Sequence, residues 1–163
     1  MSADDIELRE TVTASDVEAV RRITQSSGFF YPEEIDIAVE LVEERLAKGE
    51  KSGYFFLFAS IGGEVAGYAC FGPIACTKTS FDLFWIAVDE RYRGKGLGKV
   101  ILAQSEKIIA RMGGKRVYVE TSNRPFYEPT RQFYLKTDYI IEAVIKDFYN
   151  EGDDKVVFVK KVG

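Results

Sequence analysis

Nine consecutive residues, Arg91-Tyr92-Arg93-Gly94-Lys95-Gly96-Leu97-Gly98-Lys99, bring three glycines together with four cationic side chains in a chain of net charge −4. Glycine lets backbone N–H groups approach an anion with no Cβ in the way. If the segment also opens a helix, the orphan amides and the positive end of the helix dipole favour a phosphate there. The implied chemistry is the holding of a phosphorylated ligand; a flexible turn ahead of a helix cap is the plainer account of the same letters. Two common phosphate loops do not fit. A Walker A loop needs G-x-x-x-x-G-K-[ST], whereas Gly98-Lys99 is followed by Val100, and Arg93 stands where the first glycine belongs. A dinucleotide fingerprint needs G-x-G-x-x-G, but counted from Gly94 and Gly96 the third glycine position falls on Lys99.

The chain holds no histidine. That excludes Ser-His-Asp and Cys-His nucleophilic catalysis and nearly all histidine-ligated zinc sites, so any base is a carboxylate, a tyrosine, a lysine or water. Cys70 and Cys76, six residues apart, make neither a disulfide framework nor a metal-ligand set, and no metal is expected. The acidic balance argues against a non-specific nucleic-acid binder, because phosphate neutralisation needs a clustered basic face. Met1 to Arg9 carries acids where a signal peptide would carry basic residues and an apolar run, and no stretch approaches the roughly 20 apolar residues that span a bilayer. The expectation is a cytoplasmic protein with no membrane contact. At 163 residues, 46% hydrophobic, it is long enough for one sizeable core and is taken as a single domain, 1–163.

The elements that must position the loop follow from periodicity and punctuation. A strand at Ile6 to Arg9 leads to Ser15, whose spacing to Glu18 predicts a capping box opening a helix to about Gln25. Pro32 suits the first turn of a second helix, in which Ile35, Val39, Val42 and Leu46 share a stripe that closes near Gly49. Tyr54 to Ile61 and Glu64 to Ile74 are β-rich runs joined by Gly62-Gly63, a hairpin signal. Phe81 to Val88 is apolar on both alternating faces and predicts a central strand covered on both sides. A helix with Leu97, Ile101, Ile108 and Met112 on one stripe ends at Gly113-Gly114. Then come a strand, Arg116 to Thr121, a short helix, about Pro129 to Lys136, and strands at Tyr139 to Phe148 and Lys155 to Lys161 joined by a turn at 150–154. The unit from Phe81 to Thr121 reads as a right-handed crossover between parallel strands.

Arg91-Tyr92-Arg93-Gly94-Lys95-Gly96 matches [QR]-x-x-G-x-[GA], and with this motif the chain resembles the GNAT acetyltransferase superfamily over nearly its whole length. Trp85-Ile86-Ala87-Val88 resembles the strand before that signature, and Phe133-Tyr134 the aromatic pair of the short helix downstream. The resemblance implies a mixed α/β (α+β) fold: a mostly antiparallel twisted sheet, a central parallel pair splayed for acyl-CoA, and helices on both faces. It implies acetyl-CoA as cosubstrate and an amine-bearing small molecule or peptide as acceptor. Backbone groups of Ile86, Ala87 and Val88 would meet the pantetheine arm, one N–H polarising the thioester carbonyl. Arg93, Gly94, Lys95, Gly96, Leu97, Gly98 and Lys99 would hold the pyrophosphate, with Arg91 adding charge. The connection after Glu120-Thr121-Ser122-Asn123 is longer than the family's, yet Asn123 remains the candidate for the family's cofactor-binding asparagine.

Under this resemblance Tyr134 is the candidate acid, because a phenol with a pKa of about 10 keeps its proton at neutral pH and can give it to the departing thiolate. An ordinary core tyrosine is the alternative, as the chain has nine. Glu120 is the first choice for the base, ahead of Asp82 and Glu128; a water chain would serve as well. Phe29-Phe30-Tyr31 either lines an acceptor pocket or staples the second helix, the latter preferred. The competing functional class is an acyl-CoA sensor without turnover, and homodimer formation is left open.

Overall fold

In a computed structural model, which describes residue 2 and residues 5–163, the order is β1 (Ile6–Arg9), α1 (Asp16–Ser27), α2 (Pro32–Lys48), β2 (Phe55–Ile61), β3 (Glu64–Pro73), β4 (Ser80–Val88), α3 (Leu97–Arg111), β5 (Arg116–Ser122), α4 (Glu128–Lys136), β6 (Ile140–Asn150) and β7 (Asp153–Lys161). Short 3-10 helices lie at Gly49–Ser52, Glu90–Tyr92 and Pro125–Tyr127. The reading of Met1 to Arg9 as lacking a leader falls partly on Met1, Ala3 and Asp4, outside the described residues. Seven strands hydrogen-bond in the order β1-β2-β3-β4-β5-β7-β6. β1–β2, β2–β3, β5–β7 and β6–β7 pair antiparallel. β4 and β5 pair in parallel through Ser80↔Arg116, Phe81↔Val117 and Asp82↔Tyr118.

The chain divides into two compact units, Met1–Gly72 with Leu83–Glu106, and Pro73–Asp82 with Lys107–Gly163. β4 and α3 each run from one unit into the other. In the first unit Val20 and Ile23 of α1 and Ala38, Val39 and Val42 of α2 pack with Phe56, Phe58, Tyr68 and Cys70 of the β2–β3 hairpin and Ala87 of β4. Burying each large apolar side chain contributes roughly 1.5–3 kcal/mol, so this cluster is what holds the amphipathic helices on the sheet. Gly62 and Gly63 take φ of 61° and 82°, the two positive values that a tight hairpin turn of this kind requires. On β3, a Cβ at Gly67 would stand 2.8 Å from Ile101 Cδ1, so α3 lies close to the strand because that residue has no side chain. The second unit buries Phe81, Ile108, Ile109, Val117, Val119, Tyr134, Tyr139, Val156 and Phe158.

Several expectations are corrected. Ser15 makes no side-chain cap on α1. Asp16 organises that end instead: its carboxylate accepts from Thr13 N at 2.7 Å and from the Arg9 guanidinium at 2.7 and 2.8 Å. Arg9 wins because a buried carboxylate gains more from a two-pronged cationic partner than a serine hydroxyl gains from one amide. Leu46 and Met112 leave their stripes and stand exposed, while Ala38 and Ile109 are buried in the same helices' cores. β4 is not covered on both sides: Phe81, Leu83 and Ala87 are buried, but Phe84 is exposed and Ile86 and Val88 are half-buried. Finally, Asp153 and Asp154, expected in a turn, begin β7.

Candidate functional site

The glycine-rich segment belongs to the first unit. Val100 donates to the Gly96 carbonyl at 3.2 Å, which makes Gly96 the residue that caps α3. The amides of Leu97, Gly98 and Lys99 therefore precede the first donor that has an intrahelical acceptor, and such amides are free to meet an anion. Gly94 and Gly96 take φ of 77° and 80°, conformations that side-chain-bearing residues rarely adopt. Arg93, Lys95 and Lys99 are exposed and Leu97 is buried beneath them, so the loop presents charge outward and anchors itself inward.

What fixes this loop is a charged hub that the sequence did not disclose. Asp89, 2% exposed, closes β4. Its amide donates to the Ala66 carbonyl at 2.8 Å and its carboxylate accepts from the Arg91 amide at 3.0 Å. Arg22 of α1 reaches Asp89 Oδ2 and donates to the Val65 carbonyl at 2.8 Å, and Arg91 bridges Asp89 and Glu64. Hydrogen bonds from Arg91 hold the Asp89 carboxyl below the usual carboxylate range, against the opposing effect of burial. The same bonds, to Asp89 first and Glu64 second, raise the Arg91 pKa. Arg91 thus helps to build the loop, and its two carboxylate partners offset part of the charge it was expected to add around an anion. Arg93 donates to the Ser27 carbonyl at 2.7 Å and lies over the Phe29 ring, tying the loop to the end of α1. The three aromatics are split: Phe29 lies under Arg93, Phe30 meets Trp85 edge-on at 4.7 Å, and Tyr31 is 55% exposed. Ile86, Ala87 and Val88, the strand residues expected beside the ligand, end β4 just before the hub.

Tyr134, Glu120 and Asn123 belong to the second unit. α4 buries Tyr134 among Phe133, Tyr139 and Phe158, with ring centroids 5.3 to 5.5 Å away, and burial pushes its phenol pKa well up. On β5, Glu120 is exposed and paired with Lys155 Nζ at 3.0 Å. Asp82 lies in register with Tyr118, and strand alternation puts Glu120 on the same face one step along. The Asp82 carboxyl is pushed up by burial first and by the Glu120 charge second, with Lys155 opposing. Glu128 is exposed and is held low by the hydrogen bonds it accepts from Gln132 first and Arg131 second. Asn123 Oδ1 accepts from the Asp154 backbone amide at 2.9 Å while the Asn123 backbone N–H donates to the Asp154 carbonyl at 3.0 Å, so side chain and backbone together join the end of β5 to the start of β7. The long β5–α4 connection is folded around Arg131, which donates to the carbonyls of Ser122 and Arg124, each at 2.9 Å, and to Glu128.

With this geometry in place, comparison with known proteins is direct. The Acetyltransferase (GNAT) family matches residues 17–139. A protein assigned to the GNAT acetyltransferases from Desulfovibrio desulfuricans is 42% identical, with 97% of this chain and 99% of that one covered and a TM-score of 0.96. An aminoglycoside 6′-N-acetyltransferase solved with coenzyme A shares the fold at a TM-score of 0.79 and 19% identity, with 96% and 97% of the chains covered. An uncharacterized N-acetyltransferase of Chlorobaculum tepidum is 24% identical over 139 residues, 83% of this chain and 81% of that protein. A family match across most of the sequence and a near-superimposable relative agree with the motif, the strand order and the parallel pair: the chain belongs to the GNAT acetyltransferase family.

Proposed function

We propose that residues 1–163 act as one domain, an acetyl-CoA-dependent N-acetyltransferase that moves an acetyl group to a primary amine by direct attack. The observation that carries the reading is the entrance of α3. Three first-turn amides, two glycines at positive φ and the cations Lys95 and Lys99 converge there, a fit to a pyrophosphate group. The ladder between β4 and β5 runs over Ser80–Asp82, and β4 continues to Val88 beyond it. We assign to Ile86, Ala87 and Val88 the backbone hydrogen bonds to an amide-bearing arm, one N–H polarising the thioester carbonyl. Asn123 is assigned a secondary contact through its side-chain Nδ2, since its Oδ1 and its backbone N–H already hold Asp154.

In the reaction, a neutral amine nitrogen bonds to the thioester carbon, the carbon–sulfur bond breaks, and the thiolate needs a proton. Tyr134 supplies it, because burial keeps the phenol protonated through neutral pH. The amine's surplus proton leaves through Glu120 and Asp82 to water; a carboxyl pushed up as Asp82 is holds such a proton better than the exposed, hydrogen-bonded Glu128. Calorimetric titration tests the cofactor half. Acetyl-CoA should bind the parent and weaken as salt rises, since exposed charges are screened over about 8 Å at physiological ionic strength. Gly96→Val should weaken it more than about tenfold, the substitution being strained at that φ and placing bulk beside the amides. Equal affinity for the parent and Gly96→Val would remove the loop from the site.

A further inference from the structure

A lysine usually lays its stem along apolar surface and leaves its head in water. Lys155 of β7 does not, for its side chain is only 12% exposed. The ladder between β5 and β7 sets Glu120 opposite Val157 and Ser122 opposite Lys155, so Lys155 is the diagonal neighbour of Glu120 on one face of the sheet, within reach of a long side chain. Its Nζ lies 3.0 Å from Glu120 Oε2 and 3.9 Å from the centroid of the Phe148 ring on β6. An exposed ion pair by itself fixes little, because two long side chains must be ordered to keep it. Here the face of an aromatic ring holds the cation independently, an attraction that grows as water is excluded. The lysine is anchored, and the half-exposed carboxylate is the partner it aims.

We propose that Lys155, seated on Phe148, is a positioning residue that holds the Glu120 carboxylate beside Asp82, a role that rests on the assignment of Glu120 and Asp82 as carriers of the amine's surplus proton. Asp82 is in register with Tyr118, one alternation from Glu120. Two carboxylates so placed repel, and an ammonium on the same face offsets the repulsion. Burial first and Glu120 second push the Asp82 carboxyl up, and Lys155 opposes them. The other charges of this face are engaged or distant. Asp153, two residues before Lys155, accepts from the Ser122 hydroxyl and pairs with Arg124 at 3.3 Å. Arg116 and Lys161 stand opposite one another four residues from Glu120 along β5, on the order of 13 Å away. On β6, Ile145 and Ala143 lie opposite Lys155 and Val157, and Lys146 alternates to the other face. Glu142 falls in the register shift between Ile141 and Ala143, and Asp147 is bonded to Asp154 and Gly152. α4 packs on the opposite face of the sheet, where Tyr134 meets Phe158.

Carbon-13 NMR of the side-chain carboxyls against pH, on the full chain, tests this without an acceptor. Lys155→Met keeps most of the stem and removes the charge, so the Asp82 midpoint should rise by about 0.5 unit or more, and Lys155→Arg should return it to within about 0.2 unit of the parent. Phe148→Leu keeps the charge and loses the ring; it should move the midpoint the same way by less, and it serves if Lys155→Met does not fold. With an amine that supports thiol release, Lys155→Met should lower kcat about tenfold or more while the KM for acetyl-CoA stays within about twofold. In a Glu120→Gln background the same change should add less than about twofold, because both substitutions disable one device. An Asp82 midpoint unmoved by these variants overturns the proposal and leaves the Glu120 assignment standing, and so does a Lys155→Met loss that persists in full without Glu120. Thiol release unaffected by Glu120→Gln removes the assignment itself, and the proposal with it.

Discussion

Tyr134→Phe keeps the ring against Tyr139 and Phe158 and removes one hydroxyl. A positioned general acid contributes about 10²- to 10⁴-fold, so kcat should fall by that order while the acetyl-CoA Kd, read by calorimetry, moves less than about twofold. A loss confined to Kd would assign the hydroxyl to holding the cofactor. Asp82 makes a second test with a definite sign. Its carboxyl is pushed up in the fold, by burial first and by Glu120 second, so the folded state binds the proton more tightly than the unfolded chain. Stability from this group is then greatest below the ordinary carboxylate range and declines as pH rises through the window between the unfolded and folded values. Asp82→Asn should unfold at higher denaturant than the parent at neutral pH and lose that advantage in acid; a gap constant across pH would contradict the assigned environment.

Among the elements, the start of α1 distinguishes what the sequence pattern promised from what the fold uses. Ser15→Ala should change stability by less than about 0.5 kcal/mol, because its hydroxyl makes no cap. Asp16→Ala should cost about 2 kcal/mol by chemical denaturation, since it removes the charge-assisted bonds from Arg9 and the bond from Thr13. Strand and helix positions were legible because their signals are local: periodicity, Gly62-Gly63, Pro32 and Gly113-Gly114 place boundaries within a residue or two of Phe55–Ile61, Glu64–Pro73 and Leu97–Arg111. The glycine loop was legible for the same reason. The hub of Arg22, Glu64, Asp89 and Arg91 was not, because its members are up to 69 positions apart and none sits in a motif except Arg91, whose charge reads as ligand binding until its partners are seen. Asn123 likewise lies next to a motif but is joined to Asp154 by a contact that spacing cannot announce.

At the scale of the molecule, two compact units share β4 and α3, and neither holds both the loop and Tyr134. If residues 1–163 act as one domain, heating should give a single calorimetric transition whose van't Hoff and calorimetric enthalpies agree, and saturating acetyl-CoA should shift it upward as one. Two separable transitions would divide the chain. The central claim is acetyl transfer to an amine, and release of free thiol from acetyl-CoA across a panel of primary amines measures it most directly. The account expects thiol release that depends on one class of amine, with acetylated amine formed in equal amount and both suppressed in Tyr134→Phe. Tight acetyl-CoA binding with no amine-dependent thiol release from any acceptor would contradict it.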